Sequence, residues 1–215
     1  MSRQRPPGPK LSTDQERFWA GTFGDEYAER NSGARWLPAD IALFSRILRS
    51  AGEVSSVIEF GANIGLNLQA IRTLRPEVHL AAVEINASAV SRLEQLGLDE
   101  VHHQSMLGFK PGRTYDLALS KGVLIHVEPD CLPLAYDAMF AAAARYLCLV
   151  EYYSPAPVEV PYRGHRSRLF KRDFAGDLMD RFPGLALVDY GFVYHRDPAF
   201  PLDDVNWFLL EKRSR

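Results

Sequence analysis

The clearest pattern along the chain is a run of apolar, β-branched positions that ends in glycine. It is Val57-Ile58-Glu59-Phe60-Gly61, after which Ala62-Asn63-Ile64-Gly65 leads into Leu66, Leu68, Ile71 and Leu74 at helical spacing. This predicts a buried strand, a glycine turn and a helix that Pro76 stops. A second apolar run, Leu80-Ala81-Ala82-Val83, ends in Glu84. The helix after it runs from about Ala87 through Val90, Leu93 and Leu96 to Gly97. A short third strand is expected around Val101, a fourth over Tyr115–Leu119 and a fifth over Tyr146–Tyr152, with a helix from Pro129 to Ala144 between the last two. Upstream, Ser12-Thr13-Asp14 offers caps to a helix through Phe18 and Trp19. Pro38 is placed to start another helix, whose Ile41, Phe44, Ile47 and Leu48 form a core stripe.

Strands alternating with helices at this spacing imply a mostly parallel sheet covered on both faces. The regularity breaks between Tyr153 and Asp173, which reads as a long loop with three prolines followed by Tyr162-Arg163-Gly164-His165-Arg166-Ser167-Arg168. Loops of that length at the carboxyl ends of strands are where substrates are gripped. A helix is expected near Phe174 to Arg181. Two strands, Leu185 to Tyr194 and Asn206 to Glu211, then follow with no helix between them, hence an antiparallel pair.

The glycine turn and the acid at the end of the second strand point to a nucleoside cofactor. Glycines let the backbone pass close under a ligand, the following helix presents free N–H groups, and an acid at Glu84 suits the two hydroxyls of a ribose. Composition narrows the partners. With 215 residues, 47% hydrophobic and 24% charged, the chain suits one globular α/β domain, and it has no apolar run long enough for a membrane span. A net charge of −2 and a pI near 6.3 give no basic footprint for nucleic acid, so a small molecule is the expected partner; oligomeric state is left open. The basic, proline-rich start, residues 1–11, reads as a disordered tail without a secretory signal. Cys131 and Cys148 in apolar surroundings suit buried thiols in the cytoplasm. His102, His103 and His165 lack partners at metal-ligand spacing, so no metal is expected.

Five parallel β-α units closed by an antiparallel hairpin resemble the class I S-adenosylmethionine-dependent methyltransferases, with a Rossmann-like, mostly parallel seven-stranded sheet whose last strand is antiparallel. More specific are the blocks Phe18-Trp19-x-Gly21-x-Phe23-Gly24-Asp25-Glu26-Tyr27 with Arg30-Asn31, Glu59 to Asn67, Lys121 to His126, Glu151-Tyr152-Tyr153 and Tyr162 to His165, to which Phe170 to Gly176 and Asp203-Asp204 before Trp207-Phe208 add. In these blocks the chain resembles the pseudaminic acid biosynthesis-associated methylase family. Enzymes that cyclise S-adenosylmethionine to azetidine-2-carboxylate look like members of the same group.

The resemblance implies S-adenosylmethionine as cosubstrate or sole substrate. Its methionine part would lie over Gly61 to Gly65, with Glu59, Asn63 and Asn67 as polar neighbours. Glu84 would take the ribose, Ser105 and Met106 would flank adenine, and Lys121 and Gly122 would add backbone contacts. Residues 12–37 would be a lid or a cap on the open edge of the fold, and 153–173 a substrate loop within a single domain, 12–215. His126 is a candidate base. Trp19, Tyr27, Tyr152 and Tyr153 are candidate faces against the sulfonium, and Arg30, Arg163 and Arg168 candidate partners for a carboxylate, with His165 beside them in the substrate loop. Two reactions fit. One is methyl transfer to a small carboxylated acceptor in natural-product or sugar-acid biosynthesis; the other is intramolecular cyclisation that releases methylthioadenosine.

Overall fold

The computed structural model describes residues 9–30 and 36–213. Most of the expected tail, and Arg30's neighbour Asn31, lie outside the described residues. Two short helices come first, α1 (Asp14–Ala20) and α2 (Thr22–Arg30). Thr13 caps α1 in a reciprocal box with Glu16, as Ser12-Thr13-Asp14 leads one to expect. Gly24 permits the tight packing of the pair, since a Cβ there would stand 1.9 Å from the Trp19 carbonyl oxygen. Then follow α3 (Leu37–Ala51), β1 (Ser56–Phe60), α4 (Leu66–Leu74), β2 (His79–Glu84), α5 (Ala87–Leu93), β3 (Glu100–His103), β4 (Tyr115–Lys121), α6 (Leu132–Ala142) and β5 (Ala143–Glu151).

The main sheet has seven strands in the order β3-β2-β1-β4-β5-β9-β8, where β8 is Leu185–Val193 and β9 is Val205–Lys212. β3 to β5 run parallel through β1, and β9 runs antiparallel to both β5 and β8. The order reverses between β1 and β4, and ligands of open α/β sheets bind at the carboxyl ends of strands beside such a reversal. Alternate strand residues supply two cores. Val57, Leu80, Leu117 and Cys148 pack with Phe44 and Ile47 of α3 and Leu68 of α4, while Ile58, Phe60, Val83 and Leu147 pack with Met139 of α6 and with Phe174 and Leu178 of α7 (Phe174–Arg181).

Two expectations are corrected by the structure. The helix after Pro129 opens as a 3-10 turn, Pro129–Cys131, and α6 ends at Ala142 rather than Ala144, because Ala143 is already paired with Tyr115 in the sheet. Sheet pairing here overrides the helix preference of alanine. The long loop after Tyr153 is also not wholly irregular. Val158–Glu159 (β6) pairs antiparallel with Phe170–Lys171 (β7), and the Tyr162 and His165 backbones exchange hydrogen bonds at its tip, with Gly164 at a positive φ of 85°. Strands two residues long leave too short an alternation to read. Cys148 is buried and Cys131 half-buried, and both are free thiols.

Candidate functional site

A cavity of about 860 Å³ opens at the carboxyl ends of β1, β2, β4 and β5. Its floor is the turn after β1. Gly61 accepts this path with φ 69°, and its amide donates to the Val83 carbonyl at 2.8 Å; a Cβ would fall 2.5 Å from Val123 Cγ2. Asn63 takes a positive φ of 48°, and Gly65 begins α4 at φ 78° with no capping side chain. The first N–H groups of α4 are therefore unclaimed by any cap.

Glu84 stands at the end of β2 with both carboxylate oxygens engaged. Oε2 accepts the Asn63 amide at 2.7 Å, and Oε1 accepts those of Ile85 and Asn86 at 2.8 Å each. Burial pushes its pKa up despite the amides of Asn86, Asn63 and Ile85, which pull the other way. One lone pair on Oε2 remains for a hydroxyl. The acid thus ties the glycine turn to the start of α5 and faces the cavity at the same time.

The wall beyond β3 holds Gln104, Ser105, Met106 and Leu107. A polar network lies beyond the end of β4: the Lys121 ammonium is paired with Asp40 of α3 and donates to Asn67 Oδ1 at 3.0 Å, and Asn67 Nδ2 donates to Glu59 Oε1 at 2.5 Å. Glu59 itself is fully buried beneath the floor, its other oxygen has no partner, and desolvation raises its pKa to about 8. On the opposite side Glu151 Oε1 accepts from Ser120 Oγ at 2.9 Å and from the Val123 and Leu124 amides at 3.1 Å. Its Oε2 is buried without a partner, and burial raises the pKa to about 7.

His126 sits in a 3-10 turn, Leu124–His126, with its Nδ1 2.5 Å from the Arg168 carbonyl. A carbonyl only accepts, so Nδ1 carries the proton and Nε2 is left as the acceptor. Desolvation lowers the pKa to about 4, so the ring is neutral at physiological pH. Its face lies 4.5 Å from Trp19 and 4.9 Å from Tyr162 between ring centroids, and Trp19 also meets Tyr27 edge-on at 5.2 Å.

Helices α1 and α2 form the remaining wall, with Thr13, Gln15, Glu16, Trp19, Gly24, Tyr27 and Arg30 on the cavity. They are held from both sides. Asn86 Nδ2 donates to the Trp19 carbonyl and to Asp25, and Arg92 donates to the Ala28 carbonyl. Across the cavity Gln15 Nε2 reaches Glu128 and the Ser167 carbonyl, and Phe18 and Phe23 pack on His165.

Of the residues singled out from the sequence, Trp19, Tyr27, Arg30, Gly61, Asn63, Asn67, Glu84, Ser105, Met106, Lys121, Gly122, His126, Tyr152 and Arg163 line this cavity together. The rest do not. Glu59 and Gly65 lie behind the floor, Tyr153 is exposed beside Phe208, and His165 packs on the outer face of α1 and α2. Arg30 lines the cavity but pairs with Glu26 and stacks over Phe23. Gln15, Glu16, Asp40 and Asn86 carried no role of their own in the sequence, since a polar residue on or beside a helix reads as solvated surface until the fold turns it inward, and Tyr162 was marked only as part of the substrate loop. Glu151 had a block to mark it but no role.

No protein-family model and no curated protein sequence matches this chain. Solved structures do match in fold. A 1,6-didemethyltoxoflavin-N1-methyltransferase from Burkholderia thailandensis, with its acceptor and S-adenosylhomocysteine bound, superposes with a TM-score of 0.68 at 16% identity over 97% of this chain and 94% of that one. The architecture is the class I S-adenosylmethionine-dependent methyltransferase fold. A sugar N-methyltransferase from Streptoalloteichus shares this class I fold at TM-score 0.65 and 15% identity, over 99% and 100% of the two chains. An amino pentose methyltransferase from Micromonospora echinaspora, solved with S-adenosylmethionine, does so at 0.62 and 15%, over 87% and 95%. Among the described residues no helix is long and apolar enough to cross a membrane, and no group of three or more His, Cys, Asp or Glu is placed to hold a metal ion.

The buried acids give a test of the site's electrostatics. Glu59 at about 8 and Glu151 at about 7 hold protons in the folded chain that the unfolded chain, near 4.5, has released. Their contribution to stability is full below pH 4.5 and is lost as pH rises through 7 to 8, whereas that of His126, depressed to about 4, is gained as pH rises from 4 to 6.5. Denaturant unfolding between about pH 6.5 and 8.5 is therefore expected to show declining stability. Glu59→Gln, which stays neutral throughout, should flatten that decline; a parent curve that rises over this window contradicts the assignment.

Proposed function

We propose that this chain is an S-adenosylmethionine-dependent enzyme that transfers the cofactor's methyl group to a small acceptor bearing a hydroxyl or an amine, and a carboxylate that Arg163 at the cavity mouth would meet. The observation that carries the reading is the convergence of the Gly61–Asn63 turn, Glu84, Ser105–Met106 and Lys121–Gly122 on one cavity in this fold. In it Glu84 Oε2 takes a ribose hydroxyl, and Ser105 and Met106 border adenine. Helices α1 and α2 act as a lid that closes once the cofactor is in place. The cofactor supplies an electrophilic methyl carbon. The chain's own groups position the nucleophile in line with it and exclude water.

Where the nucleophile carries a proton, His126 Nε2 is placed to take it, because Nδ1 is already committed to the Arg168 carbonyl. An amine acceptor agrees with the amino sugar chemistry of two fold relatives and with the acceptor-rich wall of Glu151, Glu128 and His126. The cavity falls toward the upper part of the roughly 300–1,000 Å³ usual for small-molecule sites, which leaves room beside a cofactor.

Cyclisation to azetidine-2-carboxylate is the second reading, and one feature favours it. Trp19, Tyr27, Tyr152 and Tyr162 surround the cavity with aromatic faces and a neutral histidine, surroundings in which burial favours the uncharged amine that must attack. It also accords with the resemblance of the chain to the pseudaminic acid-associated methylases. Work in the cytoplasm suits a buried free thiol at Cys148.

The two readings separate on incubation of the purified protein with S-adenosylmethionine, alone and with amino sugars or small hydroxy acids, followed by mass analysis. S-adenosylhomocysteine formed only in the presence of an acceptor is the expected outcome. Methylthioadenosine with azetidine-2-carboxylate, formed in proportion to protein and without any acceptor, replaces methyl transfer by cyclisation.

A further inference from the structure

Lys121 is a lysine at the end of a central strand, four-fifths covered, with its ammonium turned inward instead of out to solvent. Two of its three donors are taken, one by Asp40, which is 1% exposed, and one by Asn67 Oδ1 at 3.0 Å. The residue still lines the cavity, as do Asp40 and Asn67, so one N–H is left for a group bound there. Asn67 lies in the first turn of α4, a nine-residue helix whose N-terminus carries no capping side chain. The ammonium thus stands beside a second source of positive potential.

Local charge closes around this arrangement. Lys121 is ion-paired with Asp40, and Glu59, joined to the pair through Asn67, has a pKa raised by burial to about 8, so it is protonated at neutral pH. A ligand carboxylate entering here meets one unclaimed lysine N–H and the open end of a helix, while the Asp40 carboxylate beside them is already engaged by the lysine. Arg30, another cation on the cavity, is engaged with Glu26 and Phe23.

We infer that the Lys121 ammonium, held in place by Asp40 and Asn67, is the receptor for an α-carboxylate, the one at the methionine end of the cofactor. This rests on the proposed cofactor reading and adds to it the group that distinguishes an amino-acid-bearing nucleoside from a plain one. Asp40 and Asn67 are positioning residues: they leave the lysine one donor and fix its direction. A lysine suits the task as a compact charge on a flexible stem.

The test is calorimetric titration of the full chain with three nucleosides: S-adenosylhomocysteine, decarboxylated S-adenosylmethionine, which keeps the amine and lacks the carboxylate, and methylthioadenosine, which lacks both. Lys121→Met should weaken S-adenosylhomocysteine at least tenfold and leave the other two within about threefold of the parent, in line with loss of one charge-assisted hydrogen bond. Because this variant strands a buried Asp40, the double variant Lys121→Met with Asp40→Asn is measured beside it and should show the same selective loss. Equal weakening of all three nucleosides in both variants makes Lys121 a merely structural residue and overturns the inference. So does unchanged binding of S-adenosylhomocysteine. A parent chain that binds none of the three overturns the cofactor reading itself, a failure visible before any variant is made.

Discussion

Replacing Glu84 by alanine should weaken binding of S-adenosylmethionine by roughly 1.5–3 kcal/mol, the range for a hydrogen bond to a charged group, or about 10- to 150-fold. It should also lower stability. The carboxylate accepts the amides of Asn63, Ile85 and Asn86, so its loss leaves three donors around a buried corner without their acceptor. A buried amide without a partner costs about 1–3 kcal/mol, so a total of at least ~2 kcal/mol is expected after water fills part of the space. The two effects are measured separately, by denaturant unfolding and by titration of whatever remains folded. Glu84→Gln should retain part of the stability, since an amide oxygen still accepts, and should be weaker in binding than the parent. An alanine variant that is folded, as stable as the parent and equally tight would remove Glu84 from the ribose site.

Gly61→Ala should be strongly damaging to both stability and binding. The residue is at φ 69°, and the added carbon would lie 2.5 Å from Val123 Cγ2 and 2.9 Å from its Cγ1. Left-handed strain costs about 1–3 kcal/mol and forced repacking of a full site about 1–3 more. Val123 cannot retreat freely, because its amide is held by Glu151 and its turn carries His126. Thermal unfolding should therefore shift down by several degrees, and cofactor binding should fall further than stability explains, because the floor of the cavity moves with the turn. Gly97→Ala provides the comparison. It is left-handed, with φ 63°, but has open space around the added carbon, so its cost should be strain alone. Equal losses at the two positions would mean that the contact with Val123 carries no weight.

The parts of this fold that were legible in the sequence are those where one physical signal dominates. Val57 to Gly61 and Leu80 to Glu84 read as strands because their residues are buried on both faces and admit no other periodicity, and β1 and β2 lie there. Thr13 with Glu16, and Pro38 near the start of α3, mark helix starts through side-chain chemistry that acts locally. The reversal of the sheet through β9 followed from the lack of a helix between two runs. What stayed hidden depends on distance in the chain. Asp40 and Lys121 meet across α3 and β4, Gln15 meets Glu128, and Asn86 meets Trp19 and Asp25; none of these pairs leaves a trace in local spacing. The resemblance implies that Glu59 is a polar contact of the ligand, yet β1 alternation puts it on the same face as Val57, toward α3 and α4, where it is buried. Tyr152 and Tyr153 were equivalent in the sequence. Both follow the end of β5 at Glu151, and the chain there sends one to the cavity and the other to the surface beside Phe208.

Hydrogen exchange of the full chain with and without saturating S-adenosylhomocysteine tests the central claim most directly, because it reads the cavity floor and the wall formed by α1 and α2 in one experiment. The cofactor reading predicts slower exchange at Asn63, at Ile85 and Asn86, and at Ser105 to Leu107, together with new protection from Trp19 to Arg30 as the lid closes. Protection at the floor without change in α1 and α2 would keep the cofactor site and make those helices fixed scaffold. Identical exchange at all of these segments with the ligand present in excess would contradict an S-adenosylmethionine site in this cavity.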